Sequence, residues 1–165
     1  MLRRIRVSGV WRYGGLLLLL GACAATPAPR RACHPIRIDA SVICAEMALT
    51  DEALRQGLMG RRSLGADEAM LFVYAAPRRL RFWMKDTYLP LDIGYFDAAG
   101  VLREIHPLEP LDKTPVPSAG DRLRFALETP RGWYARNGLA PGARLDLADV
   151  DAALQACGVD VSVQP

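Results

Sequence analysis

Short apolar runs, many of them alternating with polar residues, recur through the central part of the chain. Residues 43–49 alternate with the period of a half-buried strand, and residues 122–128 do so again. In the second segment we expect Leu123, Phe125 and Leu127 to face inward. Other short runs, separated by turn residues, occupy residues 70–74, 81–84, 91–96, 101–106 and 144–147. The pattern predicts six or seven short strands, with residues 97–100 as a hairpin connection.

Two segments carry helix signals instead. Thr50 is a predicted N-cap, and the acidic residues that follow it suit the positive end of a helix dipole. This helix should end near Gly60. A second short helix should open at residues 129–130, because proline suits the first helical position, and close at Gly138. Together the elements predict a mainly β chain with two short helices, folded as a compact single-domain β barrel or sandwich-like fold.

The N-terminal segment has the layout of an export signal. Four arginines accompany an apolar run that lies within residues 14–25. This run holds 12 residues, whereas a helix that crosses a bilayer needs about 20. It ends in Leu20-Gly21-Ala22-Cys23, which resembles the lipobox, where a diacylglycerol is attached to the cysteine thiol and the chain is cut just before it. An ordinary cleavage site is the alternative, because small residues also surround this position.

The lipobox resemblance and the pattern of strands together predict a division of the chain. Residues 1–22 would be a lipoprotein signal peptide, residues 23–35 a tether rich in proline and alanine, residues 36–150 the folded domain and residues 151–165 a C-terminal extension. Cys23 would hold the lipid, so the membrane is one expected partner. Ala24 rather than aspartate follows Cys23, which in lipoproteins of this type favours the outer membrane. We therefore expect a lipid-anchored protein of the cell envelope, in the outer membrane and facing the periplasm.

Removal of the signal changes the charge of the chain. The whole sequence has 21 basic and 18 acidic residues and a net charge of +3. The four arginines of the signal leave 17 basic and 18 acidic residues in the mature part, a net charge of −1. The basic isoelectric point therefore belongs to the signal, and nothing in this balance points to nucleic acid as a partner.

Three cysteines remain besides Cys23. In an oxidising compartment thiols tend to pair, and a bridge between Cys33 and Cys157 would join the two ends of the domain. We favour this pair over one that includes Cys44. The spacing lacks the paired C-x-x-C form of a zinc site, so no metal is expected, and no cofactor either.

Four segments of the sequence resemble successive signatures of one family. They are residues 57–61 (GLMGR), 70–74 (MLFVY), 82–87 (FWMKDT) and 90–93 (PLDI). The family is domain of unknown function 192 (DUF192), also called uncharacterised protein family 0127, and the likeness runs from about Ile43 to Leu147. Two positions depart from its pattern: Asp86 stands where asparagine is usual, and Ala69 where glycine is usual. The resemblance implies an extracytoplasmic, mainly β fold and supplies no activity.

The densest group of polar side chains lies within these signatures. The candidate ligand-binding residues are Trp83, Lys85, Asp86, Thr87, Asp92 and Arg61. In a strand Arg81, Trp83 and Lys85 would share one face. An aromatic ring beside a cation and carboxylates is typical of a small cleft that binds a sugar or an anion. The structural account has Lys85 and Asp92 forming an ion pair and Trp83 filling the core, and for these residues we favour it over the cleft.

These observations predict an exported envelope lipoprotein with a ligand-binding or structural-accessory domain. Beyond the membrane, its partner would be an envelope glycan or protein. The second hypothesis is a hydrolase that acts on an envelope polysaccharide with Asp86 and Asp92 as a carboxylate pair. Six residues of separation do not establish the distance that such a pair needs, and Ser118 lacks the glycine-flanked turn that presents a nucleophile. Whether the chain is an enzyme stays open at this point, with the balance against it.

Overall fold

Strands dominate the fold, as the alternating pattern predicted. The computed structural model describes residues 32–159 of the chain. In chain order the elements are β1 (His34–Ile38), β2 (Ser41–Ala48), α1 (Asp51–Gln56), β3 (Glu68–Arg78), β4 (Arg81–Phe82), β5 (Leu91–Asp97), β6 (Leu102–Leu108), β7 (Val116–Pro117), β8 (Leu123–Pro130), α2 (Trp133–Arg136) and α3 (Leu147–Ala156). The mainly β class is confirmed. Within the described residues there are eight strands where six or seven were predicted, and three helices where two were predicted.

Six of the strands form one mixed sheet in the order β1-β2-β3-β8-β5-β6. β2 and β3 run parallel, and the other neighbours in this sheet run antiparallel. Because the end strands β1 and β6 do not pair with each other, the sheet is not a closed barrel, and of the two predicted forms the sandwich-like one fits. β4 and β7 pair separately as a small two-stranded ribbon.

Both faces of the large sheet are buried, because successive side chains of a strand point to opposite sides. On one face Leu71 and Leu127 pack in a core shared with α2 and α3. On the other face Phe72 and Ala126 pack in a second core, which α1 and the β4 segment cover. A position that points away from one core therefore points into the other.

The predicted cap of α1 is confirmed, and α3 is the element that the sequence prediction missed. The Thr50 hydroxyl accepts a hydrogen bond from Ala53 N at 3.2 Å. Residues 144–147 were expected to form a strand, but only residues 144 and 145 form bridges, each of them isolated, and α3 begins at residue 147. Asp146 caps α3 by accepting from Ala148 N at 2.9 Å, and Arg37 of β1 pairs with Asp146 at 3.0 Å. The expected domain boundary after residue 150 thus falls inside a helix that packs on the sheet.

Gly94 in β5 is a position where a side chain has no room. A Cβ atom there would lie 2.3 Å from the hydroxyl oxygen of Tyr134, which is fully buried in α2. That hydroxyl donates to the carbonyl oxygen of Leu127 at 3.0 Å. Glycine therefore lets α2 rest directly on the centre of the sheet.

The expected disulfide between Cys33 and Cys157 is wrong. Cys33 instead pairs with Cys44, at a Cα–Cα distance of 5.3 Å. The reason is local, because the β1–β2 hairpin sets Pro35 opposite Cys44 and so brings the preceding residues within reach of that cysteine. Cys157 is exposed and free at the end of α3, with its Sγ 3.5 Å from Nε2 of His34.

Several expectations concern parts of the chain outside the described residues. They are the signal peptide over residues 1–22, lipidation at Cys23, most of the tether, and the last six residues of the C-terminal extension. Among the described residues, no helix has both the length and the apolar character to cross a membrane.

Candidate ligand-binding cleft

A cleft of about 510 Å³ opens on the face of the sheet that α1 covers. Its floor comes from β3 and β8, one wall from residues 52–59, and the other wall from residues 81–87. Gly60 N donates to the carbonyl oxygen of Asp86 at 2.8 Å, which ties the two walls together at one end. Gly57, with φ +48°, forms the corner where the first wall meets the floor, since a Cβ atom there would lie 3.2 Å from Cζ of Phe72.

The second wall alternates between core and solvent, as the sequence predicted. Phe82 and Met84 are buried, while Arg81, Trp83 and Lys85 are exposed and line the cleft. Met84 N donates to the carbonyl oxygen of Asp112 at 2.8 Å, which fixes this short segment to the following loop. The three outward side chains are therefore presented together on one side of the opening.

Aromatic rings form much of the apolar surface of the cleft. Trp83 is 46 % exposed, which is unusual for so large an apolar ring, and it stands at the mouth. Nζ of Lys85 lies 5.7 Å from the centroid of the Trp83 ring. Deeper in, Phe72 and Phe82 meet edge to face at 4.8 Å between centroids. The mouth thus offers an open ring face beside a positive charge.

A buried carboxyl group, that of Glu128 on β8, lies at the floor. Its side chain is 4 % exposed and lines the cleft. Within residues 32–159 nothing donates a hydrogen bond to this carboxyl. Loss of water around the charged form raises the pKa of Glu128 to about 8, and the positive charge of Arg61 only partly opposes this. Glu128 is therefore largely a neutral acid at pH 7, able to donate a hydrogen bond into the cleft.

The candidate residues from the sequence fall into two groups. Trp83, Lys85 and Thr87 line the cleft together. Thr87 is buried, and its hydroxyl donates to the carbonyl oxygen of Lys85 at 3.2 Å. Asp86 is exposed at a turn with φ +53°, where it contributes its backbone rather than its carboxylate.

Asp92 and Arg61 have structural partners instead. Asp92 lies on the opposite face of the sheet from the cleft, since its neighbour Ile93 belongs to the core on the cleft side. Its carboxylate accepts from Gly132 N at 2.7 Å and pairs with Arg131 at 3.1 Å, so it holds the start of α2 in place. Arg61 pairs with Glu46 through both of its terminal nitrogens, one of them at 2.6 Å. The predicted ion pair between Lys85 and Asp92 does not form, and Asp86 and Asp92 do not meet as a carboxylate pair.

Sequence reasoning missed Glu128. The alternation from Leu123 to Leu127 assigned it to the outward side of its strand. A side chain on the outward side of a strand meets solvent only if the sheet has a single buried face. This sheet has two buried faces, so Glu128 points into the second one. The available signal was the charge itself, a glutamate that directly follows the apolar residues 125–127.

Metal ligands are not brought together in this region. Within the described part of the chain, no three side chains of histidine, cysteine, aspartate or glutamate are grouped so that they could hold an ion.

Comparison with known proteins identifies the family to which most of the described residues belong. The profile of the DUF192 family, described as an uncharacterised ACR, matches residues 34–147. The chain belongs to the DUF192 family. No curated protein matches it.

Two solved structures resemble the DUF192 domain of this chain. One, from Sinorhizobium meliloti 1021, is described as "a putative transcription regulator"; it is 33 % identical, has a TM-score of 0.67, and the match covers 70 % of this chain and 93 % of that one. The other is a protein of unknown function from Novosphingobium aromaticivorans DSM 12444, 33 % identical with a TM-score of 0.66, and the match covers 74 % of this chain and 94 % of that one. Both likenesses extend over almost the whole of the other protein.

Proposed function

We propose that this chain is an exported lipoprotein of the cell envelope whose DUF192 domain binds a sugar unit in the cleft. The observation that carries the proposal is Trp83, an indole ring that is nearly half exposed beside the ammonium group of Lys85, at the mouth of a cavity with a buried acid. The segment that carries Trp83 directly follows β4 and is fixed to the next loop through Met84 N, so the ring stays open to a ligand and does not pack in the core.

The chemistry of the cleft suits a hydroxylated ring. The face of an indole is apolar and packs against the C–H face of a sugar, while donors around it fix the hydroxyl oxygens. Arg81 and Lys85 supply such donors at the mouth, and Glu128 supplies one at the floor. The volume of about 510 Å³ falls within the range of about 300 to 1,000 Å³ that is usual for small-molecule sites.

Export is supported by the cysteine chemistry as well as by the N-terminal sequence. Disulfides persist in oxidising compartments and are rare in reducing ones, and the Cys33–Cys44 bridge is formed in this domain. The lipobox-like residues that end at Cys23 favour attachment through lipid. Metabolic labelling with radioactive palmitate should mark the wild-type protein and not a Cys23→Ser variant, whereas equal labelling of both would exclude lipidation at this thiol.

The charge of this chain does not favour DNA binding, the activity that would go with the description of the Sinorhizobium protein as a regulator. DNA-binding proteins draw much of their affinity from basic side chains that contact phosphates. The mature part of this chain would carry a net charge of −1.

The polysaccharide hydrolase with Asp86 and Asp92 as its pair finds no support either, because Asp92 is engaged with Arg131 and Gly132.

The test of binding uses the mature lipoprotein in detergent micelles with insoluble peptidoglycan and with immobilised envelope polysaccharide. Trp83→Ala should reduce retention on one of these by about fivefold or more, because an exposed stacking ring contributes on the order of 1 to 3 kcal/mol. Tyr88→Ala is the matched control, since Tyr88 is also an exposed aromatic ring but stacks on Arg62 outside the cleft. Equal retention of the two variants would contradict a role of the cleft in binding.

A further inference from the structure

The inference concerns what kind of sugar unit the cleft accepts, and so it rests on the proposed function. The floor and the mouth of the cleft carry different chemistry. At the floor a carboxyl group is buried without a hydrogen-bond donor in the described part of the chain. At the mouth Arg81 and Lys85 are exposed, and neither forms an ion pair with a described residue.

We propose that the cleft selects an acidic sugar, with Glu128 donating a hydrogen bond from its neutral carboxyl group to a ligand oxygen while Arg81 and Lys85 attract the ligand's carboxylate. A ligand-binding role for Glu128 follows from its position, because a polar group that is buried in a cleft without a partner is stabilised when a ligand supplies one. The two cations account for the preference for a negative charge.

The other charged group at the mouth does not reverse this preference. Arg55 and Glu52 of α1 line the cleft but pair with each other at 3.1 Å, and both are well exposed. An exposed pair of opposite charges is close to neutral from a distance. The positive charge that a ligand meets is therefore that of Arg81 and Lys85.

Protonation of Glu128 depends on the groups that face it from each neighbouring element. Arg61, which follows α1, lies close enough to favour the ionised form of Glu128. The guanidinium group of Arg61, however, is bound by the carboxylate of Glu46 in β2. Tyr74 of β3 lines the same cleft, and burial raises its pKa to about 12. Its hydroxyl therefore adds no negative charge near neutral pH.

Two further tyrosines interact with Glu128 through space. They are Tyr95 of β5 and Tyr134 of α2, and burial raises the pKa of both hydroxyls above the ordinary value. With Arg81 and Lys85 at the mouth, these groups complete the charged and titratable surroundings of Glu128. The tyrosines are neutral and Arg61 opposes burial only in part, so burial is the main influence on the proton of Glu128.

The step at Glu128 is a hydrogen bond and involves no transfer of the proton. If the neutral acid is the binding form, affinity should be highest below pH 8 and should fall about tenfold for each pH unit above the pKa of Glu128. An acidic sugar keeps its own negative charge throughout this range, so the pH dependence reports the protein.

The experiment measures binding by calorimetry on the mature lipoprotein in detergent micelles. The probes are two pairs of sugars, N-acetylmuramate against N-acetylglucosamine and glucuronate against glucose, and only the first member of each pair carries a carboxylate group. The first pair represents peptidoglycan, the second represents uronate-containing polysaccharide, and each is titrated at pH 6, 7.5 and 9. We expect the acidic member of at least one pair to bind at least tenfold more tightly, with affinity lost towards pH 9.

Variants separate the parts of the proposal. Glu128→Gln keeps a donor that cannot ionise, so it should bind the acidic sugar at pH 6 within a few fold of wild type and lose the pH dependence. Glu128→Met has similar length without a donor and should bind at least tenfold more weakly at pH 6. Arg81→Gln should lower affinity for the acidic sugar and not for its neutral partner. Glu109→Gln, at an exposed site outside the cleft, should behave as wild type.

Three results would overturn the inference. Affinity that rises with pH and is abolished in Glu128→Gln would show that the ionised carboxylate is the binding form. A pH-independent wild type, with Glu128→Met unchanged, would show that Glu128 does not contact the ligand. Equal binding of acidic and neutral sugars would refute selection by charge while leaving the proposed function intact, whereas no binding of any of the four would count against the proposed function itself.

Discussion

Replacement of Glu128 by glutamine should change how the stability of the domain depends on pH. The folded domain holds the pKa of Glu128 at about 8, against an ordinary value of 4.5 that we assign to the unfolded chain. Between these two values the folded state keeps a proton that the unfolded state has released. By linkage, the free energy of unfolding then falls as pH rises, by about 1.4 kcal/mol for each pH unit. The stabilisation that Glu128 provides is fully present below pH 4.5 and is lost once pH has passed 8.

The total effect is large compared with the stability of a small domain. The difference between the two pKa values corresponds to a loss on the order of 5 kcal/mol across the interval, and domains of this size are stable by about 5 to 15 kcal/mol. Glutamine has nearly the same shape and cannot ionise. Glu128→Gln should therefore resemble wild type near pH 4.5 and be more stable than wild type at pH 9, by up to this amount.

Urea denaturation of both proteins at pH 4.5, 6, 7.5 and 9 measures this difference directly. Fluorescence of Trp133, which is fully buried, reports loss of the core. Groups that titrate identically in the two proteins cancel when the free energies are subtracted, so the difference isolates Glu128. Glu109→Gln, at an exposed site, controls for the loss of an acidic residue as such. A difference between Glu128→Gln and wild type that stays constant from pH 4.5 to 9 would refute the reasoning.

Three other predictions test the structural framework. Replacing Cys44 with serine should lower the free energy of unfolding by about 2 to 3 kcal/mol, because the disulfide that it forms closes a short loop, whereas Cys157→Ser should leave stability unchanged in the same urea titration. Gly94→Ala should destabilise the domain by about 1 to 3 kcal/mol, since the added methyl group would meet the Tyr134 hydroxyl; a midpoint of thermal unfolding equal to that of wild type would contradict the packing described. Asp92→Asn should cost about 1 to 3 kcal/mol by weakening its contacts with α2, and should leave ligand affinity in the cleft unchanged when measured by calorimetry.

Local features of the fold could be predicted from the sequence because their causes are local. The cap at Thr50 depends on one hydroxyl and the backbone three residues later. The connection over residues 97–100 depends on Asp97, whose carboxylate accepts from Ala99 N and Val101 N at 2.9 Å each. The alternation that exposes Trp83 and buries Met84 is likewise a property of one short segment.

Features that depend on distant partners could not be predicted in the same way. The sequence led us to favour Cys157 as the partner of Cys33, whereas the register of the β1–β2 hairpin selects Cys44. The face of the sheet on which Asp92 lies depends on how β5 pairs with β8. Glu128 was assigned to the wrong environment for a related reason, since the second buried face of the sheet is formed by α1 and the β4 segment and not by its own strand.

If the proposed lipid anchor holds the protein by its N-terminus, the position of the disulfide has a mechanical consequence. Tension applied through a membrane anchor would enter the domain at Cys33, just before β1, and the covalent bond would pass it to Cys44 in β2. β1 is an edge strand whose hydrogen bonds to β2 would otherwise be pulled apart one at a time. With the bridge in place, the load reaches the interior of the sheet directly, and β1 together with the Arg37 contact to α3 carries none of it.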